Sequence, residues 1–252
     1  MAPTFESETH STYATTTPKS LAVNVLAGDT IVVKASTSDA ACTVSTPTND
    51  GAALTWTLAQ SVITSSYATA YMWTATADSA RTVTVSVARA GSAYYYGASA
   101  EVWRGATVGA SAKSSGTTGY PSLSLTTTEA NSAASVVVGD WNAISGSGAW
   151  SSTPGTPTAR WDAYVASQGA AHAATYADVS AAGAKTLAMT APSGQKWSIV
   201  GLELKISGTV VTATVGAATA SGRPRGATST RTQSFVVVNE PAPTRWPPLV
   251  TA

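Results

Sequence analysis

The sequence predicts an all-β fold, an antiparallel two-sheet sandwich, on three observations. Ala, Ser and Thr number 48, 32 and 40 and make up nearly half of the 252 residues. Thr and Val abound while Lys, Glu, Gln, Met and Leu are scarce, a balance that favours strands over helices. Only 11% of the residues are charged against 44% hydrophobic, well below the ~25% charge usual in globular chains. Hydroxyls, not ions, must therefore solvate the surface. Short runs alternate between apolar and polar residues, with turn residues between them at the spacing of a sandwich or barrel.

The elements follow in order. Residues 1–19 carry many Thr and no clear period and read as an extended N-terminal arm. Leu21, Val23 and Val25 alternate, and Gly28-Asp29 turns the chain. Ile31-Val32-Val33 is a continuous apolar run, and Asn49-Asp50-Gly51 is a turn signal. Leu54, Trp56 and Leu58 alternate, Tyr71–Ala75 is a further run, and Val83, Val85 and Val87 put three valines on one face with Thr and Ser on the other. Such a strand is half-buried in an antiparallel sheet. Ala98–Trp103 closes the first half.

The second half repeats this order. Leu123 and Leu125 answer Leu21 and Val23, Val136-Val137-Val138 answers Ile31-Val32-Val33, and Trp161 answers Trp56. Lys185-Thr186-Leu187 answers Arg81-Thr82-Val83, and Ile199–Leu202 answers the run around Val102, all at offsets of 100 to 105 residues. The pattern suggests an internal duplication of about 100 residues. The organisation expected is an arm (1–19), a β-sandwich domain (20–206) and an Arg/Pro-containing C-terminal extension (207–252). The extension holds Arg223, Arg225, Arg231 and Arg245 against one acid, Glu240, and its prolines exclude a helix or central strand at 240–248.

Composition also excludes function classes. Net charge is +1, so no basic stripe serves a phosphate backbone and no nucleic-acid partner is expected. One cysteine, Cys42, allows no internal disulfide and no Cys-based zinc site, and two histidines, His10 and His172, leave little for a metal cluster. No apolar run reaches the ~18 residues of a membrane helix. The polar, acidic start lacks the features of a signal peptide, so synthesis and folding in a cytoplasm are expected. A hydroxyl-rich, extracellular-looking surface together with cytoplasmic folding fits a virion protein.

No nucleophile-elbow or phosphate-loop motif is present. His172 sits in a strand-like Ala170–Ala174 run, and Asp140 and Asp162 flank the Trp141–Trp161 region. Two carboxylates could serve glycoside hydrolysis, but turn residues and strand-end ion pairs are the simpler reading. The expectation is no catalytic residue, no cofactor and no metal. Eight Trp and nine Tyr stand against two Phe; such side chains suit sugar faces and protein interfaces alike. Candidate interface or glycan contacts are Tyr94, Tyr95 and Tyr96, then Trp141 and Trp150 around a Gly/Ser loop, then Phe235, Arg245 and Trp246 in the extension. Trp56, Trp73, Trp103 and Trp197 lie in strand runs and read as core.

The run Leu21 to Val33 with its Gly28-Asp29 turn, Trp56, the Val83/Val85/Val87 strand, Glu101–Gly105 and Trp197–Lys205 together resemble a β-sandwich (jelly-roll-like) domain. Such domains occur in minor tail, fibre-type and decoration proteins of actinobacteriophage virions. The resemblance spans roughly residues 20–206 and implies a structural or adhesive role with no active-site residues. The expected function is a minor tail or fibre-type subunit, oligomeric and contacting other virion proteins through its terminal segments. The alternatives are a capsid decoration protein and a carbohydrate-binding adhesin for a host-surface glycan.

Overall fold

The structure is a computed structural model that describes residues 2–63, 68–91, 94–141 and 147–208. The chain divides into Met1–Ser207 and Gly208–Ala252. Beyond Gly208 the second unit lies outside the described residues, and with it Phe235, Arg245 and Trp246.

The first half contains β1 (Thr4–His10), β2 (Lys19–Val25), β3 (Thr30–Thr37), β4 (Cys42–Val44), β5 (Thr48–Asn49), β6 (Thr57–Ile63), β7 (Thr69–Thr76), β8 (Arg81–Val87), β9 (Arg89–Gly91) and β10 (Tyr96–Arg104). The second contains β11 (Ala106–Gly116), β12 (Ser122–Thr127), β13 (Ser132–Asp140), β14 (Ala149–Trp150), β15 (Pro157–Val165), β16 (Gly169–Val179), β17 (Gly183–Ala191) and β18 (Trp197–Ile206). All strand pairings described are antiparallel. Each half has a five-stranded and a three-stranded sheet. The orders are β1-β10-β3-β7-β6 with β2-β8-β5, and β11-β18-β13-β16-β15 with β12-β17-β14. The strand orders of these sheets correspond one for one, and β4 and β9 form a further two-stranded sheet in the first half.

The chain is thus an all-β antiparallel sandwich protein, and the sandwich occurs once per half rather than once per chain. Three cores give four layers. Leu21, Val23, Val83 and Val85 meet Ile31, Val33 and Ala98 in the first. Leu123, Leu125 and Leu187 meet Val136, Val138 and Ile199 in the third. Between them, Val32, Met72 and Trp103 meet Val137, Trp161, Val200 and Leu202 across the two five-stranded sheets. Strict alternation marks the outer strands: β2 reads buried–exposed throughout. β3 and β13 are buried at every position. A strand covered on both faces needs apolar residues on both, which accounts for the continuous runs Ile31–Val33 and Val136–Val138.

The halves face each other with reversed strand order. On one side β1 lies against β15, with the Arg160 guanidinium 3.5 Å from the Phe5 ring centroid. On the other, β11 lies against β6, and the Ser111 hydroxyl donates to the Ala59 carbonyl (3.0 Å). Since β1 corresponds to β11 and β15 to β6, this is a pseudo-twofold arrangement, the geometry of an isologous dimer within one chain. A single residue joins the halves: β10 ends at Arg104, β11 starts at Ala106, and Gly105 between them has φ +61°. Only glycine adopts that conformation without cost.

The segment read as an arm differs from expectation. Thr4–His10 is the edge strand of the first five-stranded sheet, paired to β10 of its own chain. A register shift between Phe5 and Ser7 breaks its alternation, which is why no period showed in the sequence.

The middle layer carries a polar seam. Lys34 and Glu101, both fully buried, form an ion pair. The second Glu101 oxygen accepts from Trp103 Nε1 (3.1 Å) and, across the seam, from the Ser135 hydroxyl of β13 (2.8 Å). Glu8 on β1 sits directly opposite Glu101 in the ladder.

Candidate functional site

In a chain so poor in charge, a cluster of ionisable groups at one strand end is the first place to look for chemistry. The second sandwich has one. Asp162 on β15 and His172 on β16 are direct cross-strand partners, and Val138 on β13 pairs with His172 on its other side. His172 is fully buried, and its Nδ1 donates to Asp162 Oδ1 at 2.6 Å. The carboxylate thereby fixes the tautomer. The Gly148 N–H donates to the same oxygen (3.2 Å). At the end of β13, buried Asp140 accepts from Gln195 Nε2 (2.5 Å). Burial pushes the Asp140 carboxyl up to about 6, against the pull of the Gln195 hydrogen bond and of His172.

The other half shows what the fold alone requires here. Both edge strands bulge, β6 between Leu58 and Gln60 and β15 between Ala159 and Trp161. Counting from the bulges, Ser61 and Tyr71 occupy the places of Asp162 and His172, and Thr37 that of Asp140. One sandwich closes this end with hydroxyls and the Tyr71–Trp73 stack (centroids 5.3 Å). The other closes it with two acids and an imidazole.

Asp162 also reaches a groove. Its side chain is 27% exposed, and it lines, with His10, Ser11, Thr12, Trp161 and Tyr164, a cleft of about 350 Å³. The His10 ring stacks on Trp161 (centroids 6.4 Å, 23° between planes). Trp161 itself is buried beneath His10, so the rings open to the cleft are those of His10 and Tyr164; exposed rings beside a positioned carboxylate suit a polyhydroxylated ligand, whose C–H groups pack on the rings while its hydroxyls donate to the acid. The sequence singled out Asp140, Asp162 and His172 but neither His10 nor Tyr164. They meet only because β1 packs on β15, and no local pattern encodes that contact.

The aromatic candidates separate. Tyr96 is fully buried in the first core, its hydroxyl donating to the Val87 carbonyl (3.1 Å) and Lys19 Nζ lying 4.9 Å from its ring centroid. It is removed from any surface contact. Tyr95 is half-buried against the middle core, and Tyr94 is 39% exposed. The three therefore make no common platform. Trp150 is half-buried, edge-on to Tyr176 with centroids 6.5 Å apart. Trp141 is half-buried, its backbone N–H donating to the Lys196 carbonyl (3.0 Å). Residues 142–146 between them lie outside the described residues. Trp73, Trp103 and Trp197 are core, and Trp56 packs partly buried against the first core. Cys42 is buried, and burial pushes its thiol up to about 11, so it is a poor nucleophile at neutral pH.

One half-buried and one buried carboxyl, Glu8 and Asp140, give a pH signature. Burial, with Glu101 adding repulsion, pushes Glu8 up to about 7, while Lys34, Ser99 and Arg160 draw it down. An acid whose folded pKa exceeds its unfolded value stabilises most when protonated, and that stability is lost as pH rises through the folded value. Urea unfolding should therefore show stability rising by about 2–4 kcal/mol between pH 8 and pH 5. Glu8→Gln and Asp140→Asn should each flatten part of that slope. A slope unchanged in both variants would contradict the assignment.

Among the described residues no group of three or more His, Cys, Asp or Glu is placed to hold a metal ion, and no helix is long and apolar enough to cross a membrane. Comparison with known families, curated proteins and solved structures gives no match.

Proposed function

We propose that the chain is a non-enzymatic structural subunit of a bacteriophage virion, a minor tail or fibre-type protein whose two halves derive from one duplicated sandwich. The observation that carries this reading is the four-layer body. Two sandwiches are joined through one residue and share a buried core, so the body resists bending as one piece. The fully buried Lys34–Glu101 ion pair lies on that seam. Hydroxyl-clad, charge-poor faces meet neighbours at low desolvation cost, since few ions must be stripped of water. With Thr4–His10 paired inside its own sheet, the attachment to neighbours falls to residues 207–252.

The test is localisation. Antibodies against the body, used for immunogold labelling of purified particles, should mark the tail. Marking of the head makes the chain a decoration protein, and absence from particles overturns the proposal. A chain ending at Ser207 should fold yet fail to enter particles; normal incorporation would refute attachment through the extension.

The groove beside Asp162 favours a second reading, a carbohydrate-binding adhesin for the host envelope. Binding of purified cell-wall glycan that is lost in Asp162→Asn and Tyr164→Ala would support it. No binding at millimolar glycan would end it.

A further inference from the structure

The charged groups of the middle layer are arranged for more than an ion pair. Lys34 lies on β3, Glu101 on β10 and Glu8 on β1, three neighbouring strands of one sheet. Glu8 is the direct cross-strand partner of Glu101, so the two carboxyls share a face. Lys34 Nζ meets Glu101 Oε1, and both side chains are fully buried. Glu101 Oε2 is held separately, by Trp103 Nε1 (3.1 Å) and the Ser135 hydroxyl (2.8 Å). Glu8 Oε1 is buried and has no hydrogen-bond partner among the described residues. Phe5 packs edge-on against Trp103 beside them, with ring centroids 5.4 Å apart.

The fold does not require these charges. By the register of the two sheets, Val137, Leu202 and Ser111 take in the second half the places of Lys34, Glu101 and Glu8. An apolar pair fills that place without the desolvation penalty of a buried ammonium and carboxylate. The first half carries the costlier arrangement, with a second acid beside it.

We propose that Lys34 and Glu101 condense to an intramolecular amide, Lys34 Nζ to Glu101 Cδ, with Glu8 carrying the proton. A proton first passes from Nζ to Oε1, which leaves a neutral amine and a carboxylic acid, the pair that a dry layer favours. The Nζ lone pair then attacks Cδ, and the C=O π electrons move onto Oε2. Trp103 and Ser135 already donate to that oxygen, as the donors of an oxyanion hole do. One Glu8 oxygen takes a proton from Nζ while the other gives its proton to the Oε1 hydroxyl. The Cδ–Oε1 bond breaks, the carbonyl at Oε2 re-forms, and one water leaves. Glu8 ends as it began, and no further reactant is needed. It acts from its acid form, which burial favours by raising the carboxyl to about 7. Contact between the reacting groups stands in for an effective concentration on the order of 10⁵ M or more. The amide ties β3 to β10 within the first five-stranded sheet and removes a buried charge pair. The ion pair is its precursor, and the stability changes expected of Glu101 variants refer to that precursor. The inference is independent of any particle the protein belongs to.

Intact-mass spectrometry of the full chain, with tandem sequencing of its tryptic peptides, tests it. The chain should weigh one water less than its sequence. A branched peptide should join Lys34 to Glu101, with no tryptic cleavage after Lys34. Lys34→Met should keep its full mass. Glu8→Gln should condense at least about a hundredfold more slowly, while circular dichroism and thermal unfolding show the native fold. The wild-type measurement needs no variant and carries the test if a variant fails to fold. A wild-type chain still at full mass after prolonged incubation at neutral pH overturns the proposal, as does a lost water that maps to other residues. Condensation at an unchanged rate in Glu8→Gln overturns the role given to Glu8.

Discussion

Replacing Glu101 by Ala will destabilise the body by about 3–5 kcal/mol. Lys34 and Glu101 are both 0% exposed, so the substitution leaves a buried ammonium in the middle layer without its paired carboxylate, with only Glu8 nearby to replace it. Trp103 Nε1 and the Ser135 hydroxyl lose their acceptor at the same time. Two of the groups stranded lie in the first half and one in the second, so the damage spans both sandwiches. The double replacement Lys34→Met/Glu101→Leu should recover most of the loss, because an apolar pair of similar volume removes the desolvation penalty altogether. Urea unfolding followed by Trp fluorescence measures both. A single-variant loss under about 1 kcal/mol would mean that the seam tolerates the unpaired charge.

Trp161→Ala will cost a similar amount, about 3–5 kcal/mol, by emptying the junction between the halves. Trp161 belongs to β15, yet its ring abuts Gly97 of β10: a Cβ on Gly97 would stand 2.6 Å from Trp161 Cζ2 and 3.1 Å from the Tyr13 ring. The glycine is the hole into which the indole fits, and His10 stacks over the ring. Gly97→Ala should therefore be strongly destabilising in the wild-type chain and much less so once Trp161 is Ala. A double-mutant cycle reads that coupling directly. Purely additive losses would show that the ring does not depend on the glycine.

These two sites also show where the sequence stops being readable. Alternation in Leu21/Val23/Val25 and Val83/Val85/Val87 reported the outer strands correctly, because period 2 is the imprint of one wet and one dry face. Ile31-Val32-Val33 and Val136-Val137-Val138 also carried their imprint: apolar residues on both faces mean cover on both. A single pair of sheets leaves an outer face wet on every strand, so those runs called for four layers. The match of Trp161 with Trp56 slipped for a different reason. Counting from the bulges, which both edge strands share, pairs Trp161 with Gln60, while Trp56 precedes β6; two tryptophans in strand-like runs need not occupy equivalent places, and only the ladder fixes which residues correspond.

The residues of the candidate site were visible in the sequence, but not their meeting. Asp162 and His172 are ten residues apart and become neighbours through the hairpin that turns between Val165 and Gly169, whose register only the ladder shows. Asp140 was visible as an acid near tryptophans, but its burial depends on how the end of β13 is covered. The Lys34–Glu101 pair had no local signal. Each residue sits in a run that reads as strand, and only the second sheet stacked over them makes their charges costly.

The two sandwiches form one cooperative body through their shared middle layer, and native-state hydrogen exchange reads that cooperativity directly. Amides of the inner strands β3 and β13 should exchange through the same global opening, with equal opening free energies that fall together in Glu101→Ala. If β13 amides open well below β3 amides, or only the first half weakens in that variant, the halves are separate domains and the shared layer does not couple them.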